Sequence, residues 1–569
     1  MKFNKLIVMM GVASSILLSG CNSDTDATPP VVSKPEIPNF AVDGKLEVNI
    51  KRTTYGVPHI TANNLESLAY GGGYVQAQDN LCILADGFTK ANSERSKYFG
   101  PHASIDFSSG LPIHQDNGNI ISDFAYKALK IRELAETNYS KFSDNSRALI
   151  EGYVAGYNQY LADIESGKET NADLFCAGQP WVKPITNIDM ATYIFSINIL
   201  PGAANFLDLI FYANPGDGHE YLPSMKPKSA QLDPQLAQAF IADTKQKFIN
   251  HANTITLPEK NPQKLGSNGW GLGKEMTENG KGMVLVNPHF PFTGNLRFWQ
   301  SHNTIPGHLD ITGGSLLGMP GLVNIGFNKD LAWTHTFSTS EHFVVYKHDV
   351  KSGDRMQYIV DGKVQDIKSD TVQIEVNVGN DQIMLAEKQI FYTDKGPIIE
   401  APIEEAPFGW DDGQVFMVQD VNMGNLDPLD HWLAMNRASN LDEFKQTFID
   451  YDGMIFLNTM YADKEGNAFF IDDASVPGLN DFAVAMLKQS EELQALRELA
   501  GFTVLPGNSV LFAFDGPTPY ENVPKMTRSD FVQNSNDSHW STNLAQPLEA
   551  SRQCLVKSVS NYHCARAWA

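Results

Sequence analysis

This chain of 569 residues is short of basic groups and of cysteine, and it lacks an apolar run long enough to cross a membrane. Each shortage excludes something. Lysine and arginine number 43 against 66 aspartates and glutamates, a formal charge of −23. A nucleic-acid binder carries a basic face, so no nucleic-acid partner is expected. The acidic surplus bears on solubility and says nothing about fold. The five cysteines are Cys21, Cys82, Cys176, Cys554 and Cys564, and their spacing matches no metal motif. No segment beyond Leu18 has the length and apolarity of a membrane span. Also missing are a Gly-x-Ser-x-Gly elbow, a His-Glu-x-x-His helix and a Walker loop. Gly269-x-Gly271-x-Gly273 lacks the dinucleotide spacing. The usual hydrolase and nucleotide motifs therefore give no local support.

What is present reads as a globular chain, 42% apolar and 10% aromatic, long enough for a large core. Its length fits two to four domains or one large layered domain. The first residues form a targeting segment. Lys2 and Lys5 precede the apolar stretch Leu6 to Leu17. Leu18-Ser19-Gly20-Cys21 then resembles a bacterial lipobox, so residues 1–21 are expected to be a lipoprotein signal with Cys21 lipidated. The alternative is an ordinary signal peptide with a chance cysteine. Asn22 is not the aspartate that retains such proteins in the inner membrane. The expectation is a periplasmic protein of a Gram-negative bacterium, held by lipid at the outer membrane. Pro29, Pro30, Pro35 and Pro38 mark a flexible tether. Export permits disulfides, and Cys82 with Cys176 is a candidate pair. The alternative is that each is simply buried.

Leu46 to Ile50 alternates apolar and polar and predicts a strand, followed by a turn over Tyr55 to Ile60. Gly71-Gly72-Gly73-Tyr74 leads into a helix through Gln76 and Asp79. Behind a Ser/Asp cap at Ser143, Leu149, Tyr153, Tyr157 and Tyr160 recur at helical steps. The first half is thus mainly helical. Residues 244–266 are polar, with Pro258 and Pro262 and no apolar period, and predict an exposed linker. Beyond it the chain turns strand-rich, at Val284 to Val286, Leu322 to Ile325, Val372 to Val378 and Ala468 to Ile471.

The linker ends at Gly266-Ser267-Asn268-Gly269-Trp270. On those residues alone, Gly-Ser-Asn is ordinary turn chemistry. Its position gives it another meaning. A serine whose hydroxyl attacks the preceding carbonyl passes through an ester and is released by water with a free α-amine. An α-amine has a reference pKa of about 7.7–8.0 and can act as base for the hydroxyl beside it.

The surrounding motifs give the resemblance. Tyr55-Gly56-Val57-Pro58-His59-Ile60 and Tyr70-Gly71-Gly72-Gly73-Tyr74-Val75-Gln76-Ala77-Gln78-Asp79 come first. Gly266-Ser267-Asn268, Asn287-Pro288-His289-Phe290, Asn324-Ile325-Gly326-Phe327, Ala332-Trp333-Thr334-His335-Thr336 and Asn534-Ser535-Asn536-Asp537-Ser538 follow in order. Together they resemble the penicillin acylase family of N-terminal-nucleophile hydrolases, and within it the acyl-homoserine lactone and aculeacin-type acylases. The resemblance implies an α+β fold, a four-layer αββα sandwich with a mainly helical N-terminal chain. It implies a helical α subunit over residues 22–245, a spacer over 246–266 and a β subunit over 267–569, parted by cleavage between Gly266 and Ser267 and remaining together as a heterodimer.

The family's site then maps onto particular residues. Ser267 is the implied nucleophile. His289 matches the histidine that assists its amine, against the alternative of a satisfied polar residue beside a proline. Phe337 stands where the family uses a backbone N–H for the oxyanion, and Asn536, in preference to Asn534, matches the side-chain donor of the same hole, against the alternative that both are turn formers. Phe290 and Phe456 match positions lining the acyl pocket, joined by Phe292, Leu317 and Met319, although aromatic and methionine side chains also serve as plain core. The implied substrate is a small-molecule acyl amide, with N-acyl-homoserine lactones first and penicillin or lipopeptide amides second. No cofactor or metal is expected.

Family chains continue well past the Asn-Asp motif. The stretch from about Ser551 departs from the family pattern, and neither Arg552 nor Arg566 can be placed as the family's supporting arginine. The reading is a β subunit shortened at its C-terminus. Two rivals follow: a non-catalytic lipid-anchored remnant, and a conventional serine hydrolase that does not need Ser267 at a chain terminus.

Overall fold

Helices dominate before Gly266 and strands after it, so the fold is α+β, as the sequence predicts. The computed structural model describes residues 34–102, 117–170, 175–216, 222–229, 232–258, 266–380, 382–401 and 408–548. The lipobox with Cys21, spacer residues 259–265 and the stretch from 549 lie outside the described residues. Backbone contacts separate Met1–Glu36 from Ile37–Ala569, and every described helix and strand lies in the second unit.

Two helices form the packed heart of the first half. Asp144–Glu165 starts where Ser143 accepts a hydrogen bond from the Ser146 amide. Its Leu149, Tyr153, Tyr157 and Tyr160 are fully buried, as their spacing predicts. Leu65–Ala91 packs against it. Gly71, Gly72 and Gly73 do not open this helix; they lie inside it. Glycine inside a helix is destabilising by roughly 0.5–1 kcal/mol relative to alanine, and the packing shows why it is there. A methyl group on Gly152 or Gly156 would overlap the Glu66 or Tyr70 carbonyl, and one on Gly73 would overlap the Tyr153 carbonyl. Two glycines four residues apart thus meet two carbonyls four residues apart, and the helix backbones touch. Gly156→Ala forces the helices apart. The expected loss is about 1–3 kcal/mol, read as a lower urea midpoint. An unchanged midpoint would show that the contact carries no stability. Cys82, on the helix Leu65–Ala91, is disulfide-bonded to Cys176.

A nine-stranded sheet joins the two halves of the chain. Its order is Val48–Arg52, Pro58–Ala62, Phe298–Ile305, Leu309–Leu316, Ile325–Phe327, Leu331–Phe337, Leu457–Asp463, Ala468–Asp472 and Lys525–Arg528. Pro58–Ala62 runs parallel to Phe298–Ile305, with His59 opposite His302. The predicted turn over Tyr55 to Ile60 is therefore half strand. Leu322 to Asn324 likewise lies outside a strand, which begins at Ile325.

A three-stranded sheet carries the serine. Gly266–Leu272 sits between Phe531–Asn534 and Met283–His289. Burial alternates along it, with Ser267, Gly269 and Gly271 inward. Side chains on those glycines would strike Met460, Thr334 and the Tyr461 carbonyl of the nine-stranded sheet. The glycine spacing that fails as a nucleotide loop thus lets two sheets approach closely, and the same alternation turns Ser267 into the space between them.

One expected boundary moves. Residues 244–252 are the last turns of the helix Pro234–Ala252. Thr244, Phe248, His251 and Ala252 are its buried positions there. Threonine and histidine at two of the four hide the apolar period. Among the described helices, no single one is long and apolar enough to cross a membrane.

Candidate active site

Ser267 is 1% exposed, and its neighbours are polar groups from three separate segments. Its hydroxyl donates to the carbonyl oxygen of Gly266, so Oγ lies against the peptide bond it would cut. Its amide N–H donates to Oδ1 of Asn536. A methyl group on Gly266 would stand 3.0 Å from Asn536 Oδ1 and 3.8 Å from Nδ1 of His289. Glycine at this position keeps both groups close to the peptide.

His289 owes its place to register. Antiparallel pairing sets Gly266 opposite His289 and Ser267 opposite Pro288. Nδ2 of Asn287 lies 3.0 Å from His289 Nε2. An amide nitrogen donates only, so Nε2 accepts, and a neutral ring keeps its proton on Nδ1, the atom facing Gly266.

Asn536 and Phe337 meet directly. Asn536 adopts the left-handed φ of 67°, which asparagine tolerates better than most residues. Its amide is fixed from both sides, because Nδ2 donates to the Phe337 carbonyl at 2.9 Å while Oδ1 holds Ser267. In the uncut chain, then, the expected oxyanion donor is already occupied. The Phe337 amide faces the other way. Phe337 pairs with Leu457, and the Ser338 amide donates to the Phe456 carbonyl. Antiparallel alternation therefore turns the Phe337 N–H away from that neighbour.

Asn534 lies deeper and serves as a brace. It is fully buried, and its Oδ1 accepts from Thr336 at 2.6 Å, from the Asn536 amide at 2.8 Å and from Asn458 at 3.3 Å. Asn458 also donates to the Phe337 carbonyl at 3.4 Å. Ser338 donates to Asp472 at 3.0 Å; burial pushes that carboxyl up to about 6. Thr336 closes a quoted motif without a role of its own, and Asn458 and Asp472 give no signal in the sequence, since an isolated Asn or Asp in a strand-rich region does not reveal such convergence.

Beside Ser267 lies a cavity of about 490 Å³, part of it open to solvent. Its wall is mainly hydrocarbon and aromatic. Phe290, Phe456 and Met319 line it, together with Phe298, Leu316 and Trp432. Phe290 meets Phe298 edge-on at 5.3 Å, and Phe456 meets Phe337 at 5.4 Å. Two expected residues stand elsewhere. Phe292 is 96% exposed, because the strand that would have aimed it ends at His289. Leu317 is buried outside the lining, its carbonyl held by the Tyr193 hydroxyl. Cys21 is outside the described residues.

Residues 47–565 match the family model for penicillin amidase. The chain belongs to the penicillin amidase family. With the family comes its N-terminal-nucleophile hydrolase fold. The match runs to residue 565, past Ser551, where the family pattern was expected to stop. Among curated relatives, the acyl-homoserine lactone acylase PvdQ of Pseudomonas fluorescens is 32% identical over 90% of this chain and 61% of its own. That of Pseudomonas savastanoi pv. phaseolicola is 34% identical over 88% of this chain and 60% of its own. The aculeacin-A acylase of Actinoplanes utahensis is 32% identical over 90% and 62%. The chain thus spans about three fifths of the length of these family members. A solved structure, thermostable penicillin G acylase from Alcaligenes faecalis, aligns with a TM-score of 0.38 and 19% identity, over 48% of this chain and 44% of that one.

Proposed function

We propose that the chain is a precursor of an amidohydrolase that removes acyl chains from N-acyl-homoserine lactones, with Ser267 as nucleophile. One observation carries the reading: a serine hydroxyl set against its own preceding carbonyl, at the wall of an apolar cavity. In self-cleavage, Ser267 Oγ attacks the Gly266 carbonyl carbon. The C–N bond breaks, and the Ser267 nitrogen takes the hydroxyl proton. Water then opens the ester, leaving a Gly266 carboxylate and a free Ser267 amine. His289 faces this peptide and is placed to assist the proton transfers.

In turnover the amine takes the proton from Oγ as Oγ attacks the substrate amide carbon. The negative charge on the carbonyl oxygen is met by the Phe337 amide and by Asn536, once Nδ2 turns from the Phe337 carbonyl. The proton passes to the leaving amine, and water releases the acid from the acyl-serine. The two fragments remain associated as a heterodimer. The sheet in which Pro58–Ala62 pairs with Phe298–Ile305 supports that association.

The apolar wall supports a fatty chain as the acyl group, since hydrocarbon binds there without polar partners. Each buried CH₂ is worth about 0.8 kcal/mol, roughly fourfold in affinity. Release of homoserine lactone should therefore rise with chain length until the cavity is full, and Phe456→Ala should move the optimum to longer chains. A flat length profile, with faster cleavage of phenylacetyl amides, would refute the lactone assignment in favour of a penicillin-type acylase. Kinship to an aculeacin-A acylase favours lipopeptide amides as the second reading.

Lipid anchoring at Cys21 in the periplasm completes the proposal, on the strength of the Leu18-Ser19-Gly20-Cys21 motif. A fatty-acid probe should label the wild type and spare Cys21→Ser. Equal labelling of both would rule out the anchor.

A further inference from the structure

Hydrocarbon makes up most of the cavity wall, yet one of the residues lining it, Asn324, holds a buried side-chain donor with no partner among the described residues. Asn324 is 3% exposed and lines the cavity. Its Oδ1 accepts the Leu316 amide at 2.9 Å, and this fixes which way the side-chain amide is turned. Nδ2 is left with two protons and no hydrogen-bond partner among the described residues. A buried donor without a partner is destabilising, and such groups call for an explanation.

A second polar group stands nearby. His335 also lines the cavity, 5% exposed, and its surroundings include the Asn324 backbone. The Trp432 indole N–H points at its Nε2 from 3.5 Å. An indole nitrogen donates only, so Nε2 is the acceptor and Nδ1 bears the ring proton, facing the Asn458 carbonyl at 3.3 Å. Burial pushes the His335 imidazole down to about 4, so the ring is neutral at pH 7. Its acceptor is only loosely used, because 3.5 Å is the outer limit of a hydrogen bond.

We propose that Asn324 reads an oxygen atom on the acyl chain: a keto or hydroxyl oxygen accepts from Nδ2. A hydroxyl has the further option of donating a hydrogen bond to His335 Nε2. An unsubstituted chain leaves Nδ2 dry. Asn324 is thus a specificity determinant of the acyl site, and the proposal rests on the acylase reading for the identity of the ligand.

Binding tests it without requiring turnover. Medium-chain fatty acids, plain or with one hydroxyl or keto group at successive positions, are made to displace a fluorescent fatty acid from the Ser267→Ala protein. At one position along the chain, an oxygenated acid should bind about tenfold more tightly than the plain acid. Adding Asn324→Leu should erase that ratio, with the plain acid binding at least as well as before. Because the ratio is taken within one protein, a general loss of folding cancels. Hydroxyl above keto would make His335 Nε2 the acceptor of the ligand's hydroxyl, and equal gains would assign the whole effect to Asn324. If every oxygenated acid binds no better than the plain one, or if the advantage survives Asn324→Leu, the proposal is overturned. A preference in binding with no amide hydrolysed by the cut wild type would overturn the acylase reading and leave this one standing.

Discussion

Ser267→Ala is expected to yield one uncut chain with no measurable amidase activity. Wild type should give a fragment beginning Ser267-Asn268, identifiable by N-terminal sequencing. The hydroxyl lies against the Gly266 carbonyl, and the amide is held by Asn536, so the bond is positioned for attack before any substrate arrives. Loss of a nucleophile costs on the order of 10⁶ in turnover in a well-studied serine enzyme. Here the loss is doubled in kind, because both the hydroxyl and the free amine disappear. An intact protein that still hydrolyses acyl amides would remove Ser267 from both roles.

Asn536→Ala is expected to act at two stages. In the uncut chain Asn536 holds the Ser267 amide and the Phe337 carbonyl together, so its loss should slow self-cleavage. In turnover it removes one of two donors to the oxyanion, typically about 100- to 1,000-fold in kcat. KM should change little, and the loss should be alike for every acyl length. The measurements are the fraction cut with time and the kinetics of the fraction that is cut. A kcat within a few-fold of wild type would assign the oxyanion to another donor.

Much of the architecture could be read from the sequence, for identifiable reasons. The helix behind Ser143 carried three buried tyrosines and a leucine at one period, and no tertiary contact was needed to see it. Ser267 stood out because six further motifs follow or precede it in a fixed order, whereas its own Gly-Ser-Asn means little. What escaped depends on where strands end and how they pair. Phe292 is two residues from Phe290, yet the strand stops at His289 and the alternation that would aim it inward stops too. Residues 244–252 looked like linker because threonine and histidine occupy buried helix positions. Asn534 and Asn536 look alike in sequence. Only the chain's turn at a positive φ sends one to Ser267 and the other into the brace beneath it. Asn324 and His335 both stood within recognised motifs, but nothing in a motif says which side-chain atom is left without a partner.

The parallel pairing of Pro58–Ala62 with Phe298–Ile305 has a consequence once the Gly266–Ser267 bond is cut. Uncut, the two strands belong to one molecule, and the chain can regain their register on its own. Cut, they belong to two molecules, so the order of the folding reaction changes from first to second. Dilution then lowers the melting temperature of the mature protein, while that of the uncut chain stays the same. The proposed cleavage would turn a fold that can renew itself into an assembly whose recovery depends on its lost half still being within reach.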